Sequence, residues 1–470
     1  MEAHPIGSLS DEFTRSRLGH GARRKRLLRV SEAFGKAPSA SFPALFHDPK
    51  QAKRGYEFLG NPAVLPDDVL GGHVLNTLDR CASHRRVLLV MDMTELDYTH
   101  HRATRGLGSI GDGNGRGVHV LSVLALDAST GEPLGVLPPQ RWVRPAVTPG
   151  RRKAESTYAR SLRARESQYW LRAIRSSREA IGPSTAETRY VVVADQGADI
   201  FDNFATCRAC DFGFVLRVYQ DRALVATTSP DDAPHLMARL AQQPVKTHKD
   251  VEIHARHNRT ARVARCEVRV LTASIQPPQT QPLHTPPEVV TVVQVLEVDP
   301  PAGEDAVCWN LATDAPVTTV AEALGIVTEY ESRWTVEDFH MGLKTGCAIE
   351  SRQFQSRHAI ENFLSLASVQ VWQMLWLRHR ARSETPGPAA EILSDGQREA
   401  LRELCATLPT QADAKQTLIA LAKLGGYFGR KSDGPPGWRT LWKGFQYLTT
   451  YAEGFEAARN RSQSTLREPS

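Results

Sequence analysis

No apolar run in this 470-residue chain approaches the roughly 20 residues that a membrane-spanning helix needs. The amino terminus has no apolar signal-peptide core. Channels, transporters and exported proteins are therefore set aside, and a cytoplasmic protein of bacterial type is expected. Cysteine is sparse: the seven are odd in number and scattered, which argues against a disulfide framework and for reduced thiols. Only Cys207 and Cys210 form a C-x-x-C pair, with no second pair or paired histidines nearby. A zinc site usually needs four ligands, so none is expected there. No internal repeat is visible.

What is present is an ordinary globular composition, 41% hydrophobic and 23% charged, long enough for two or three domains. The net charge of +6 is modest, but its distribution is uneven. Arg15, Arg17, Arg23, Arg24, Lys25, Arg26 and Arg29 crowd one amino-terminal stretch. Such a cluster is the footprint expected for DNA phosphates, although a lone basic cluster is usually a solvated helix face. Arg256, Arg259, Arg262, Arg265 and Arg269 form a second group in a segment suited to a strand pair. Arg141, Arg144, Arg151, Arg152 and Lys153 form a third.

Two short apolar runs each end in an acid. Arg86–Met91 leads to Asp92, and Arg189–Ala194 leads to Asp195. Short β-branched runs of this kind suit central strands covered on both faces. An aspartate at the carboxyl end of such a strand sits where open α/β sheets place ligands. Either residue alone is as well explained by a helix cap or a turn. A third segment, Tyr330 to Lys344, predicts one helix with two faces. At roughly 100° per residue, Tyr330, Arg333, Glu337 and Lys344 fall within about 60° of one another, with Val336, Phe339 and Leu343 opposite. Asp92, Asp195 and Glu337 together can hold a pair of divalent ions of the kind that drive phosphoryl displacement. Hard oxygen ligands favour magnesium, with manganese as a substitute.

These residues resemble the bacterial DDE transposases of the insertion-sequence-four family, of the Tn-five transposase type. The family's Tyr–Arg–Glu–Lys signature has spacings of three, four and seven, as do Tyr330, Arg333, Glu337 and Lys344. Asp92-Met93-Thr94 stands for an Asp-Thr-Thr-like segment and departs from it at the second position. Asp195-Gln196-Gly197-Ala198-Asp199 stands for an Asp-Arg-Glu-Ala-Asp-like one. Further similarities lie at Gly55–Phe58, Leu107–Ile110, Gly117–His119, Leu424–Tyr427, Trp438, Leu441-Trp442 and Gly454-Phe455, so the resemblance runs nearly the whole chain.

The resemblance implies an α/β fold, a ribonuclease-H-like catalytic core with a β-rich insertion, flanked by helical amino- and carboxyl-terminal domains. The expected division is a DNA-binding domain over 1–75, the catalytic domain over 76–380 with its insertion at about 218–308, and a dimerisation domain over 386–470. It implies a cut-and-paste enzyme that nicks transposon ends, forms and opens a hairpin, and joins 3′ ends to target DNA. It would work as a nucleoid-associated homodimer on double-stranded DNA. Asp92, Asp195 and Glu337 would be the catalytic metal ligands. Tyr330, Arg333 and Lys344 would hold phosphates. Trp309 matches a tryptophan that stacks on a flipped base, although a buried strand residue packed beneath the helix reads equally well. Arg23 and Arg26 match basic DNA-contact positions, in a segment where His20 and Ala22 depart from the family pattern. A structure-specific nuclease on the same core and a non-catalytic DNA-binding derivative are the competing readings.

Overall fold

The computed structural model describes residues 8–46, 48–144, 166–183, 187–229, 231–253, 260–282, 284–382, 387–388, 393, 395–430 and 433–465. Its centre is a ten-stranded mixed sheet. The strands are β1 (Arg86–Asp97), β2 (Gly108–Ile110), β3 (Gly115–Asp127), β4 (Pro133–Trp142), β5 (Arg189–Ala194), β6 (Gly213–Arg217), β7 (Thr247–Ile253), β8 (Arg262–Ile275), β9 (Glu288–Glu297) and β10 (Cys308–Thr313). They run in the order β2-β3-β1-β5-β6-β10-β9-β8-β7, with β4 paired to β3. β5 is parallel to both β1 and β6, and the other pairings are antiparallel. The strands of the expected β-rich insertion extend this same sheet through β9 and β10.

The apolar runs of β1 and β5 form the core for the reason their composition suggests. Val87 to Met91 and Val191 to Ala194 are buried on both faces, each Val or Leu contributing about 1.5–3 kcal/mol on removal from water. Helices cover the sheet. Helix α1 (Gly21–Lys36), α2 (Pro49–Leu59) and α3 (Pro66–Cys81) precede β1. Helix α4 (Ser167–Ile181) precedes β5, and α5 (Phe201–Ala209) joins β5 to β6. Helix α6 (Leu236–Ala241) precedes β7. Helices α7 (Val320–Glu331) and α8 (Trp334–Met341) follow β10, and the long α9 (Arg357–Arg382) comes next. α9 is buried almost all round from Ala359 to Leu377, polar Asn362, Ser365 and Gln370 included. Helices α10 (Asp395–Leu404), α11 (Ala414–Leu424) and α12 (Trp438–Thr465) close the chain. The architecture is the expected one, a ribonuclease-H-like mixed α/β core with helical segments at both ends.

Local signals account for the helix starts. His20, one of the departures from the family pattern, caps α1 by accepting from the Ala22 N–H at 3.1 Å. Asp48 caps α2 ahead of Pro49 at the first helical position. Thr319 and Glu322 form a capping box on α7. The amino-terminal segment is tied to the core by a buried cluster. His73 donates from Nδ1 to Glu12 Oε2 at 2.6 Å and accepts the Val136 N–H on Nε2 at 3.0 Å, while Arg80 donates to Glu12 Oε1 at 3.0 Å. Burial alone would raise the Glu12 carboxyl, but His73 and Arg80 outweigh it and hold the group at about 2.

Two expectations are corrected. β1 does not stop at residue 92 but runs on to Asp97, because β3 continues to pair with it from Leu88↔Leu126 to Asp97↔Gly117. Asp92 therefore lies within a strand, at the point where its parallel partner ends. The expected single helix from Tyr330 to Lys344 is three pieces. α7 stops at Glu331, Ser332 and Arg333 make a tight turn, and α8 gives way at Gly342–Gly346 to a π-helical turn. The sequence also predicts a long helix over roughly 153–182, of which Ser167–Ile181 is described. Its earlier part lies outside the described residues, as do residues 384–386 of the Glu384–Pro388 stretch, whose prolines and glycine predict a boundary.

Candidate active site and nucleic-acid interface

The last parallel rung between β1 and β5 pairs Met91 with Ala194. The next residue on each strand is an aspartate, so the register alone sets Asp92 beside Asp195. Asp195 caps the short turn after β5, accepting from the Gly197 N–H at 2.8 Å. Its second oxygen is not used in that cap. Asp92 accepts from its neighbour's Met93 N–H at 2.8 Å through Oδ1. Burial, followed by the adjacent Asp195 carboxylate, pushes the Asp92 carboxyl up to about 6. Arg333 opposes this shift and Glu337 adds to it. Asp92 thus feels both of the other carboxylates.

Helix α8 brings the third acid. Val336, Phe339 and Leu343 are buried as the periodicity predicts, and they seat the segment on the sheet. Arg333, at the start of α8, donates to Asp92 Oδ2 at 3.3 Å and to Glu337 Oε1 at 2.8 Å. Its buried Nε has no hydrogen-bond partner. On the same helix, His340 Nε2 shares a 3.0 Å hydrogen bond with Ser122 Oγ. Ser122 is the residue opposite Asp92 on β3. Burial, then Lys344 and Arg333, push His340 down to about 3, so it is a neutral strut between α8 and the rung of Asp92. At the foot of β1, Arg86 grips Glu329 of α7 in a two-pronged pair, with Nη2 to Oε2 at 3.0 Å. Neither Ser122 nor His340 stands out in the sequence, because a serine in an apolar strand and a histidine on a helix carry no pattern of their own.

The rest of the signature is arranged differently from a flat helix face. Tyr330 is only 2% exposed and packs edge-on against Trp309 at 5.2 Å, with the Arg333 guanidinium 5.8 Å over its ring. The tyrosine is therefore a floor beneath Arg333 and not an exposed hydroxyl, because β10 offers its ring an apolar seat. Lys344, on the π-turn, is half-buried and pairs with Glu350 at 3.4 Å. Trp309 is 8% exposed. Beside it lies a cavity of about 390 Å³ lined by Asp250, Val251, Glu252, Trp309, Glu331 and Trp334. Trp334 was not singled out in the sequence, where it reads as one more apolar residue of the helix.

The donor set suits a hard cation, since Asp92, Asp195 and Glu337 offer only carboxylate oxygens. Among the described residues no three His, Cys, Asp or Glu side chains stand converged as a ready metal site. The positive charge between Asp92 and Glu337 is supplied instead by Arg333.

The basic clusters divide once partners are known. Arg262 is bound to Glu297 and Glu304, and Arg269 to Glu267. Arg141 pairs with Asp67 and Arg144 with Glu166. These four are occupied within the protein. Arg256, Arg259, Arg151, Arg152 and Lys153 lie outside the described residues. In the amino-terminal cluster, Arg23 donates to the Leu18 and Ala63 carbonyls at 3.2 Å each, and Arg26 to Gln51 at 2.8 Å. Arg15, Arg17, Arg24, Lys25 and Arg29 are the exposed members, and Arg15 pairs with Asp79. The seven cysteines are all free thiols. No described helix is long and apolar enough to cross a membrane.

Comparison with known families agrees with this arrangement at both ends of the chain. Residues 7–64 match a transposase DNA-binding domain, which covers the basic helix α1 and all of α2. Residues 394–465 match the Tn5 transposase dimerisation domain, which covers α10 to α12. DNA and a second copy of the chain are accordingly its partners. With one of these domains before the mixed sheet and the other after it, the chain is a Tn5-type transposase.

Proposed function

We propose that this transposase works by cut-and-paste, belongs to the insertion-sequence-four family, and uses Asp92, Asp195 and Glu337 as its catalytic centre. The observation that carries this reading is the meeting of two aspartates, each one residue past the last β1–β5 rung, with an Arg–Glu helix turn packed across Asp92. Magnesium held by these three carboxylates would activate the attacking water or 3′ hydroxyl and stabilise the leaving oxygen of each phosphoryl transfer.

The chain's own residues would bind and orient the DNA end. Arg333 has an unpartnered buried Nε to offer a phosphate oxygen, and its fork suits phosphate. Tyr330 would hold that guanidinium from below. Lys344 would leave Glu350 for a phosphate as a point charge. The exposed Arg17, Arg24, Lys25 and Arg29 would follow the duplex backbone, with Arg23 and Arg26 bracing the same helix. The cavity between β7 and the indoles of Trp309 and Trp334 would accept a base drawn from the stack. Because one carboxylate set serves nicking, hairpin formation, hairpin opening and strand transfer, no second catalytic centre is required.

The test is strand cleavage in magnesium on the inverted-repeat end flanking the gene, comparing wild type with Glu337→Gln. Nicks and hairpins from wild type, absent in the variant while end binding persists, are the expected result. Cleavage without hairpin or strand transfer would replace this reading with a structure-specific nuclease. End binding with no cleavage by wild type would replace it with a DNA-binding derivative.

A further inference from the structure

The π-helical turn Gly342–Gly346 carries Lys344, and its two glycines are filled from another domain. A Cβ at Gly342 would stand 2.6 Å from Trp438 Cη2 and 2.5 Å from Val371 Cγ1. A Cβ at Gly346 would stand 2.9 Å from Trp438 Cζ2. Both distances are shorter than carbon atoms tolerate, so the indole of Trp438 lies directly on the backbone of the turn. Trp438 is buried and backed by Trp442, with ring centroids 5.2 Å apart.

Trp438 opens α12, within the segment that matches the dimerisation domain. That helix is itself fixed closely. Gly425 at the end of α11 and Gly444 on α12 let the two backbones cross where any side chain would collide with a carbonyl oxygen. Further along α12, Tyr447 and Tyr451 are exposed. One helix therefore presents aromatic side chains outward and an indole inward onto the turn that bears Lys344. A π-turn takes about one residue more per turn than an α-helix, is locally unfavourable, and commonly marks a functional site. It alters the direction in which Lys344 leaves the helix relative to Glu337, and it needs an external support.

We propose that Trp438 is a positioning residue for Lys344: its indole holds the Gly342–Gly346 turn in π-helical register, so that the docked dimerisation domain sets where the lysine meets DNA. This rests on the reading of Lys344 as a phosphate contact, and the experiment separates the two. Binding of the full chain to a duplex of the terminal inverted repeat is measured against salt concentration, without divalent metal. Losing one phosphate contact lowers the slope of log K against log salt by about 0.9.

Lys344→Ala is expected to show that loss. Trp438→Leu is expected to show the same loss, with no further loss in the double variant, while Trp438→Phe, which keeps a ring over the glycines, restores the wild-type slope. Thermal unfolding checks that each variant is folded. Gly346→Ala crowds the same contact without deleting a core side chain, and is expected to lower the slope equally should Trp438→Leu unfold. A wild-type slope in folded Trp438→Leu or Gly346→Ala, alongside a lowered slope in Lys344→Ala, would overturn the proposal and leave the phosphate contact standing. An unchanged slope in Lys344→Ala would overturn the phosphate contact itself, and the proposal with it.

Discussion

Replacing Asp92 by asparagine should make the metal-free protein more stable while abolishing cleavage. Asp92 is an acid whose side chain is 17% exposed, set among two other carboxylates. Burial and Asp195 raise it from 3.8 to about 6. At about 1.36 kcal/mol per unit, the ionised group costs the fold on the order of 3 kcal/mol. Below pH 3.8 the group is protonated whether folded or unfolded, and it costs nothing. Between 3.8 and about 6 the unfolded chain releases the proton while the folded one keeps it, and stability falls as pH rises. Above about 6 the full cost is present.

Asp92→Asn removes that cost and keeps an oxygen for Arg333. An unfolding entropy of about 2.1 cal/mol/K per residue comes to about 1 kcal/mol/K for a chain of this length. The variant should therefore melt about 3 °C higher than wild type at pH 7.5 if the chain unfolds as one unit, and within about half a degree of it at pH 4. Magnesium at a hundred times its dissociation constant should add about 2.7 kcal/mol to wild type and much less to the variant. Calorimetry at the two pH values, with and without magnesium, reads all of this. An Asp92→Asn protein less stable than wild type at pH 7.5, or a difference that does not change with pH, would refute the reasoning.

Arg333→Gln removes the cation that neutralises Asp92 and Glu337. Charged hydrogen bonds of about 1.5–3 kcal/mol are lost with it, and manganese should bind the DNA-free protein at least about tenfold more tightly in a spin-resonance titration. Equal or weaker manganese binding would count against Arg333 as the resident counter-charge. Glu12→Gln should cost on the order of 2–3 kcal/mol near neutral pH, since a carboxyl held at about 2 stabilises the fold above 4.5 and loses that effect as pH falls through 2. Denaturant melts that do not converge at low pH would show the Glu12–His73–Arg80 cluster acts otherwise. Tyr451→Glu places a charge on the exposed stripe of α12 and should weaken the dimer by roughly 2 kcal/mol, about thirtyfold. Sedimentation showing an unchanged dimer would place the interface elsewhere.

Much of the site was legible because it depends on local pattern. The β-branched runs before Asp92 and Asp195 predict buried central strands, and β1 and β5 are buried on both faces. The spacing of Val336, Phe339 and Leu343 predicts the seated face of α8, and all three are buried. The basic clusters were legible as charge but not as free charge. Arg262 is neutralised by Glu297 and Glu304 and Arg141 by Asp67, partners far along the chain that no local pattern names. The placement of Tyr330 differs for a related reason. A period of 100° places its hydroxyl on the polar face, but the packing of Trp309 draws the ring inward and the helix breaks at Ser332.

The sequence by itself determined which residues are available for the proposed chemistry, because carboxylates, cations and apolar runs are composition, and composition is set residue by residue. It also determined the strands and most helix starts, through short-range sterics and capping. The tertiary structure alone decided where one strand ends against another, which puts Asp92 beside Asp195. It decided that Arg333 stands between Asp92 and Glu337, and that the turn bearing Lys344 is π-helical under Trp438. These are contacts between residues distant in sequence, whose energies exist only once the sheet and its helices have closed around them.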